Sequence, residues 1–331
     1  MKKIINDPES VVSDMLDGLT SAYPDLLKQL PDTTAVVRKD APVPNKVGLV
    51  SGGGSGHEPA HAGYIGNGML DAAVCGEMFT SPTPDQVFEA IKAVDGGAGV
   101  FLIIKNYSGD VMNFDMAAEL AEAEGIQVEK VVVNDDVAVE DSSFTTGRRG
   151  IAGTVFVHKI AGAKAAAGGS LEEVKNVAEK VVANVRSMGM ALTPCTVPAA
   201  GKPSFSLQEN EMEIGIGIHG EPGIEKKQIS TADEIAEELT EKILNDISWH
   251  KNDEAAVMIN GMGGTPEMEL YILNKKVNQI LTERGIHIHK TFIGNYMTSL
   301  EMAGCSVTLL KLDDELKPLL ASEAITLAFN M

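Results

Sequence analysis

Cysteine is nearly absent from this chain. Cys75, Cys195 and Cys305 are the only three in 331 residues, widely separated and without a CxxC pair. That spacing excludes a disulfide framework and a thiolate zinc site, and it points to a reducing compartment. Positive charge is also in short supply. Lys and Arg number 27 against 47 Asp and Glu, a net charge of −20, with a pI of about 4.7. Nucleic acid and anionic membrane are polyanions, so neither is expected as a direct partner, while a small phosphate-bearing molecule stays open. Long apolar runs are missing. The nearest, Ile151–Gly168, is interrupted by His158, Lys159 and Lys164, so no membrane span is expected. The opening MKKIINDPES has two lysines but no apolar stretch of signal-peptide length. These features predict a cytoplasmic protein. No GxxxxGK[ST] occurs, and the glycines at 52–56 are not a GxGxxG with its downstream acid, so no nucleotide site is recognisable.

What is present reads as a two-domain α/β protein, with an expected division at 1–189 and 190–331. In the first part, strands near 35–39, 46–50, 71–78, 100–104 and 128–133 alternate with helices opening at Asp7-Pro8, at Thr83-Pro84 and near Asn113. This alternation predicts a three-layer, mostly parallel sheet. Ser170 with Glu173 and Thr231 with Glu234 are capping boxes. The second part reads as a smaller two-layer mixed-sheet α/β domain, with helices near 231–245 and 266–284.

The most informative stretch is IGIGIHGEPG, 214–223. Met212, Ile214, Ile216 and Ile218 alternate with Glu213, Gly215 and Gly217, which predicts a strand with a bare glycine face and His219 at its tip. A lone histidine there is either a hydrogen-bonded structural residue or a reactive one. SGGGSGHEP follows a strand, so its glycines read either as a nest of backbone N–H groups or as a tight turn, with His57 and Glu58 directly after. Lys105 and Asp110 follow a buried strand in KNYSGD. Asp110 reads as a general base or as an Asx turn before the helix at Asn113. Both segments lie at carboxyl ends of strands, where open α/β sheets bind ligands. Asp135-Asp136 suggests metal ligands or a solvated turn; Arg148-Arg149, a phosphate contact or a surface pair at a helix start. His287 and His289 alternate with Ile286 and Ile288 as one polar strand face. His61, His158 and His250 have no supporting context.

Taken together, SGGGSGHEP, TSPTPDQ, IIKNYSGDVMNF, VNDDVAV, GRRGIAGT, TVPAAGKPSF, GIGIHGEPG, GGTPEMELY and SLEMAGCSVTLLKLDDE resemble the DhaK subunits of dihydroxyacetone kinases, nearly end to end. The resemblance implies a first domain like a phosphotransferase-system sugar-specific domain, a smaller second domain carrying the covalent histidine, and a homodimer. It implies that His219 binds dihydroxyacetone as a hemiaminal, that Asp110 is the base for the terminal hydroxyl and that His57 assists. Gly54, Ser55, Gly56, His57, Lys105 and Asp110 would contact the substrate. ATP-dependent members continue into a nucleotide-binding domain, and the chain stops at Met331, so the expectation is the phosphoenolpyruvate-dependent type. There a separate DhaL subunit carries ADP or ATP and magnesium, and DhaM re-phosphorylates the nucleotide. This chain would hold no cofactor or metal. Two other readings are a transcriptional co-activator that binds dihydroxyacetone without catalysis, and a sugar-phosphate isomerase or lyase.

Overall fold

The computed structural model describes residues 2–140 and 147–331. Among these residues the chain forms two six-stranded sheets. The first contains β1 (Leu27–Gln29), β2 (Ala35–Arg38), β3 (Gly48–Ser55), β4 (Ala72–Met78), β5 (Val100–Lys105) and β6 (Val128–Val133), in the order β1-β2-β4-β3-β5-β6. β4, β3, β5 and β6 are parallel; β1 and β2 extend the sheet antiparallel. The second contains β7 (Val185–Ala191), β8 (Glu211–Ile214), β9 (Glu225–Gln228), β10 (Glu254–Gly261), β11 (His287–Gly294) and β12 (Gly304–Leu312), in the order β11-β10-β12-β7-β8-β9. Only β10 and β11 pair parallel there. The α/β class is as expected; the first sheet is more mixed, because β2, an expected strand, pairs antiparallel with β4, and β1, which was not foreseen, adds a second antiparallel pairing.

The helices are α1 (Val11–Ala22), α2 (Pro84–Val94), α3 (Ser108–Ala123), α4 (Thr154–Ala166), α5 (Leu171–Asn184), α6 (Ala232–Asp246), α7 (Glu267–Glu283) and α8 (Leu316–Ala321). Both expected capping boxes form, at Ser170–Glu173 and Thr231–Glu234. Alternate residues of the central strands feed opposite faces. Val50, Leu102 and Ile104 pack with Ile91 of α2 and Phe114 of α3. Leu49, Phe101 and Ile103 turn the other way, into a core containing Phe156 and Ile160 of α4 and Val174 of α5. That same core takes in Ala256 and Met258 of β10 and Leu310 of β12. Helix α4 therefore lies between the two sheets, which is why every residue from Thr154 to Ala163 is buried. Its small residues let both layers approach, and each large apolar side chain buried there contributes roughly 1.5–3 kcal/mol. The outer face of the second sheet, with Val257 and Ile259, is covered by α6 and α7. No helix among the described residues is long and apolar enough to cross a membrane.

Three local readings change. Gly52, Gly53 and Gly54 are part of β3, paired with Val74, Cys75 and Gly76 of β4, so they form neither a loop nor an open nest. Helix α3 starts at Ser108, which puts Asp110 inside its first turn instead of ahead of a helix at Asn113. Strand β8 ends at Ile214, because Gly215 has φ +77° and takes the chain out of the extended region. His219 thus sits in a turn beyond the strand, although Ile216 and Ile218 stay buried as the alternation implied. Smaller shifts are that α1 begins at Val11 after a turn from Asp7, and that β7 begins at Val185.

Candidate functional site

The structure brings His57 and His219 face to edge. Their ring centroids are 4.8 Å apart at 74°. Phe79 stacks on His57 at 5.1 Å, and Phe79 and Tyr107 approach His219 edge-on at 5.1 and 4.6 Å. His57 follows β3 directly and is fully buried. Its Nδ1 lies 2.7 Å from the Thr298 carbonyl. A carbonyl only accepts, so Nδ1 carries the proton, and Nε2 is left as a buried acceptor with no partner among the described residues. Burial, followed by the neighbouring His219 and Lys105, holds this ring well below the usual imidazole range. His57 is therefore a neutral ring with an open acceptor at Nε2.

Lys105, the last residue of β5, and Asp110, in the first turn of α3, form a buried ion pair with Nζ 3.2 Å from Oδ2. Nζ also approaches the Gly52 carbonyl at 3.4 Å. The pair lies against Gly53: a Cβ there would meet Lys105 Nζ at 2.4 Å and Asp110 Oδ2 at 3.1 Å. The glycine run thus admits an amine and a carboxylate against the strand backbone. The Gly56 N–H donates to the Glu58 carboxylate at 3.1 Å. The Ser55 hydroxyl donates to the Gly76 carbonyl at 2.7 Å. Gly54 packs against the Phe79–Thr80 backbone.

Two groups went unnoticed in the sequence, and a third was misread. The first is Glu221. Its carboxylate accepts from His219 Nδ1 at 2.7 Å and from the His219 backbone N–H at 2.9 Å. Burial raises this carboxyl, but the hydrogen bond and charge of His219 outweigh it and bring it to about 2. The second is the aromatic pair Phe79 and Tyr107. The third is a buried anchor made by Asp135, Asp136 and Arg149. Asp135 and Asp136 are fully buried, not a solvated turn, and among the described residues no group of three or more potential metal ligands occurs. Asp135 accepts the backbone N–H groups of Ile151 and Gly153, both at 2.8 Å, at the entry to α4. Asp136 holds Arg149 through Nε at 2.8 Å and Nη2 at 2.7 Å. Burial lifts Asp136 to about 6 in spite of Arg149. Arg149 is not a surface residue, and Arg148 is committed to Asp246 at 2.8 Å. The signal that was available is a glutamate two residues after the histidine, with glycines before it.

The other histidines fall outside this cluster. His287 and His250 are exposed, as expected for a polar strand face and a polar loop. His61 and His158 are buried and paired, with Nδ1 of one 2.9 Å from Nε2 of the other. A cavity of about 370 Å³ behind β3 touches Gly53, Gly54 and His61, but it is lined mainly by apolar groups such as Met15, Leu19 and Leu327 and does not reach His219 or Asp110. A small polyol suits the polar cluster better than that cavity. All three cysteines are free and buried.

Comparison with known proteins fits this geometry. The Dak1 domain profile matches residues 17–328. A PTS-dependent dihydroxyacetone kinase 1, dihydroxyacetone-binding subunit DhaK, from Listeria innocua is 57% identical over 95% of both chains. Among solved structures, the dihydroxyacetone kinase of C. freundii superposes with a TM-score of 0.91 at 38% identity, covering 99% of this chain and 60% of that one. A dihydroxyacetone kinase operon co-activator, Dha-DhaQ, superposes with a TM-score of 0.90 at 39% identity, covering 95% of this chain and 97% of that one. The chain belongs to the Dak1 domain family, the family of the dihydroxyacetone-binding DhaK subunits.

Proposed function

We propose that this chain binds dihydroxyacetone covalently and presents it for phosphorylation by a nucleotide held on a second protein. The observation that carries the reading is the placing of His57 Nε2, a buried acceptor without a partner, beside the ring of His219. Nδ1 of His219 is engaged by Glu221, so Nε2 is the free nucleophile. Its lone pair forms the C–N bond to the ketone carbon while the C=O π pair moves onto oxygen. One proton moves net from the ring Nδ1 to that oxygen, giving a neutral hemiaminal. Glycerol has no carbonyl and is refused.

The bound triose then needs a base at its terminal hydroxyl. Asp110 takes that proton as the oxygen attacks phosphorus, and Lys105 orients the carboxylate. His57 Nε2 accepts a hydrogen bond from a substrate hydroxyl; with its proton on Nδ1 it is not a donor. Phosphoryl transfer asks mainly for positioning and charge stabilisation, so a chain that holds only the acceptor is chemically sufficient. The donor is ATP on a DhaL subunit, with magnesium, regenerated from ADP by DhaM. The name of the Listeria relative, a dihydroxyacetone-binding subunit of a PTS-dependent kinase, supports this division. The working form is a cytoplasmic homodimer.

Likeness to the co-activator structure favours a second reading, in which the adduct forms but no transfer follows. One experiment tests both. Dihydroxyacetone labelled with ¹³C at the ketone is added to the chain alone, and the carbonyl resonance is followed. Conversion to a tetrahedral carbon supports the adduct, and an unchanged carbonyl overturns it. Adding DhaL, DhaM and phosphoenolpyruvate should then yield dihydroxyacetone phosphate. An adduct without product supports the co-activator.

A further inference from the structure

The glycine face before His219 is occupied. A Cβ on Gly217 would meet Glu221 Oε2 at 2.1 Å and Arg149 Nη1 at 2.7 Å. The carboxylate of Glu221 and the guanidinium of Arg149 therefore lie together against the bare backbone at 217. Arg149 is itself fixed, by Asp136 on one side and by the Gly215 carbonyl, which accepts from Nη2 at 2.7 Å, on the other. Asp136 and Arg149 thus form a buried pair, and Glu221, half-buried beside them against Gly217, binds the ring of His219.

We propose that Glu221 is a positioning residue that fixes His219 as its Nδ1–H tautomer and thereby aims the Nε2 lone pair at the bound carbonyl. The tautomer follows from donor and acceptor inventory. An ionised carboxylate only accepts, so Nδ1 must carry the hydrogen and a neutral ring must keep its lone pair on Nε2. The orientation follows from the second oxygen, which binds the backbone N–H of the same histidine. One carboxylate thus spans main chain and ring of a single residue, and the ring loses its freedom to flip. Tyr107 and Phe79 fill the sides. The same logic, a carboxylate setting the tautomer of a reactive histidine, governs hydrolase triads. The aim at a carbonyl rests on the proposed function; the tautomer does not.

Glu221→Gln separates the two. A glutamine side chain has one acceptor and one donor end, so it cannot accept from both Nδ1–H and the His219 N–H. In protein carrying ¹⁵N-histidine, with the His219 signals assigned by their loss in His219→Ala, the parent should show a protonated Nδ1 and a bare Nε2. Glu221→Gln should move the proton toward Nε2 or split the population. Its yield of tetrahedral carbon from ¹³C-dihydroxyacetone should fall about tenfold or more. Glu221→Asp, which still only accepts, should keep the Nδ1–H form and more adduct than the glutamine variant. The inference is overturned if the parent ring is protonated at Nε2, or if Glu221→Gln leaves the tautomer unchanged, whatever happens to the adduct. If the tautomers behave as expected but the parent forms no tetrahedral carbon, the covalent function fails and the positioning role stands.

Discussion

Lys105 Nζ and Asp110 Oδ2 meet at 3.2 Å over the backbone of Gly53, one delivered by the end of a strand and the other by the first turn of the next helix. The distance between them is set by two rigid elements, so Asp110 can be changed chemically without being moved. Asp110→Asn keeps the shape and a hydrogen bond but cannot take a proton. Transfer with DhaL and DhaM should slow by about 10²–10⁴-fold, while the tetrahedral-carbon yield from labelled dihydroxyacetone changes far less. Equal losses in binding and rate would make Asp110 a positioning residue.

His219→Ala removes the nucleophile and leaves His57, Lys105 and Asp110 in place. The expected result is loss of the adduct together with loss of discrimination against glycerol. Competition binding of dihydroxyacetone against glycerol measures it. A variant that still prefers the ketone by the parental ratio would show that selection does not depend on the covalent bond.

Gly217→Ala needs no new chemistry to be harmful. The added methyl falls on Glu221 Oε2 and Arg149 Nη1, and overpacking of this kind typically costs about 1–3 kcal/mol. Denaturant unfolding should register that loss. The adduct should weaken by more than stability alone explains, because Glu221 is pushed off the His219 ring. Normal adduct formation in a folded Gly217→Ala protein would argue that the carboxylate tolerates displacement.

Acid should unfold the protein through its interior histidines. His57, His61 and His158 are buried and neutral, their pKa values lowered chiefly by burial, to about 3 for His158. The unfolded chain takes up protons near pH 6.5, whereas the folded chain does not. Stability is therefore complete above that pH and is lost as pH falls toward the folded pKa values. Asp136, raised to about 6, works the other way between its ordinary 3.8 and 6, since there the unfolded chain is the one that has lost the proton. Glu58 and Asp135, also raised by burial, act in the same sense as Asp136. His158, lowered to about 3, should by itself remove stability below pH 6.5 with a slope approaching about 1.4 kcal/mol per pH unit. Replacing His158 by Gln should remove that contribution; an unchanged slope would mean the pair already binds a proton in the folded state.

The parts of the site that were legible in the sequence are those framed by glycine and placed by strand ends: His57, Lys105, Asp110 and His219. Residue type and position drew attention to them with structural alternatives open, and the resemblance to the DhaK family singled them out. What was not legible lay in distant pairings. Asp136 and Arg149 look like surface charge until a fold removes water from both. Gly217 was read as part of a bare strand face, when Glu221, four residues on, lies against it. Strand length failed at Gly215 for a related reason: apolar alternation continues through Ile216 and Ile218, but a positive φ ends hydrogen-bonded pairing without ending burial. Asp110 was placed ahead of a helix expected near Asn113, whereas α3 starts at Ser108 and takes Gly109 and Asp110 into its first turn.

Helix α4, buried on all sides, has a consequence for inheritance. The residues that would trap the carbonyl sit on the second sheet's side of the helix, and those that would deprotonate the triose sit on the first. Neither group has meaning without the register that α4 and its shared core impose. A recombination break anywhere between β5 and β8 would separate the two halves of one reaction, so this architecture is expected to pass between genomes whole, while the partner that brings the phosphate is free to be fused, detached or exchanged.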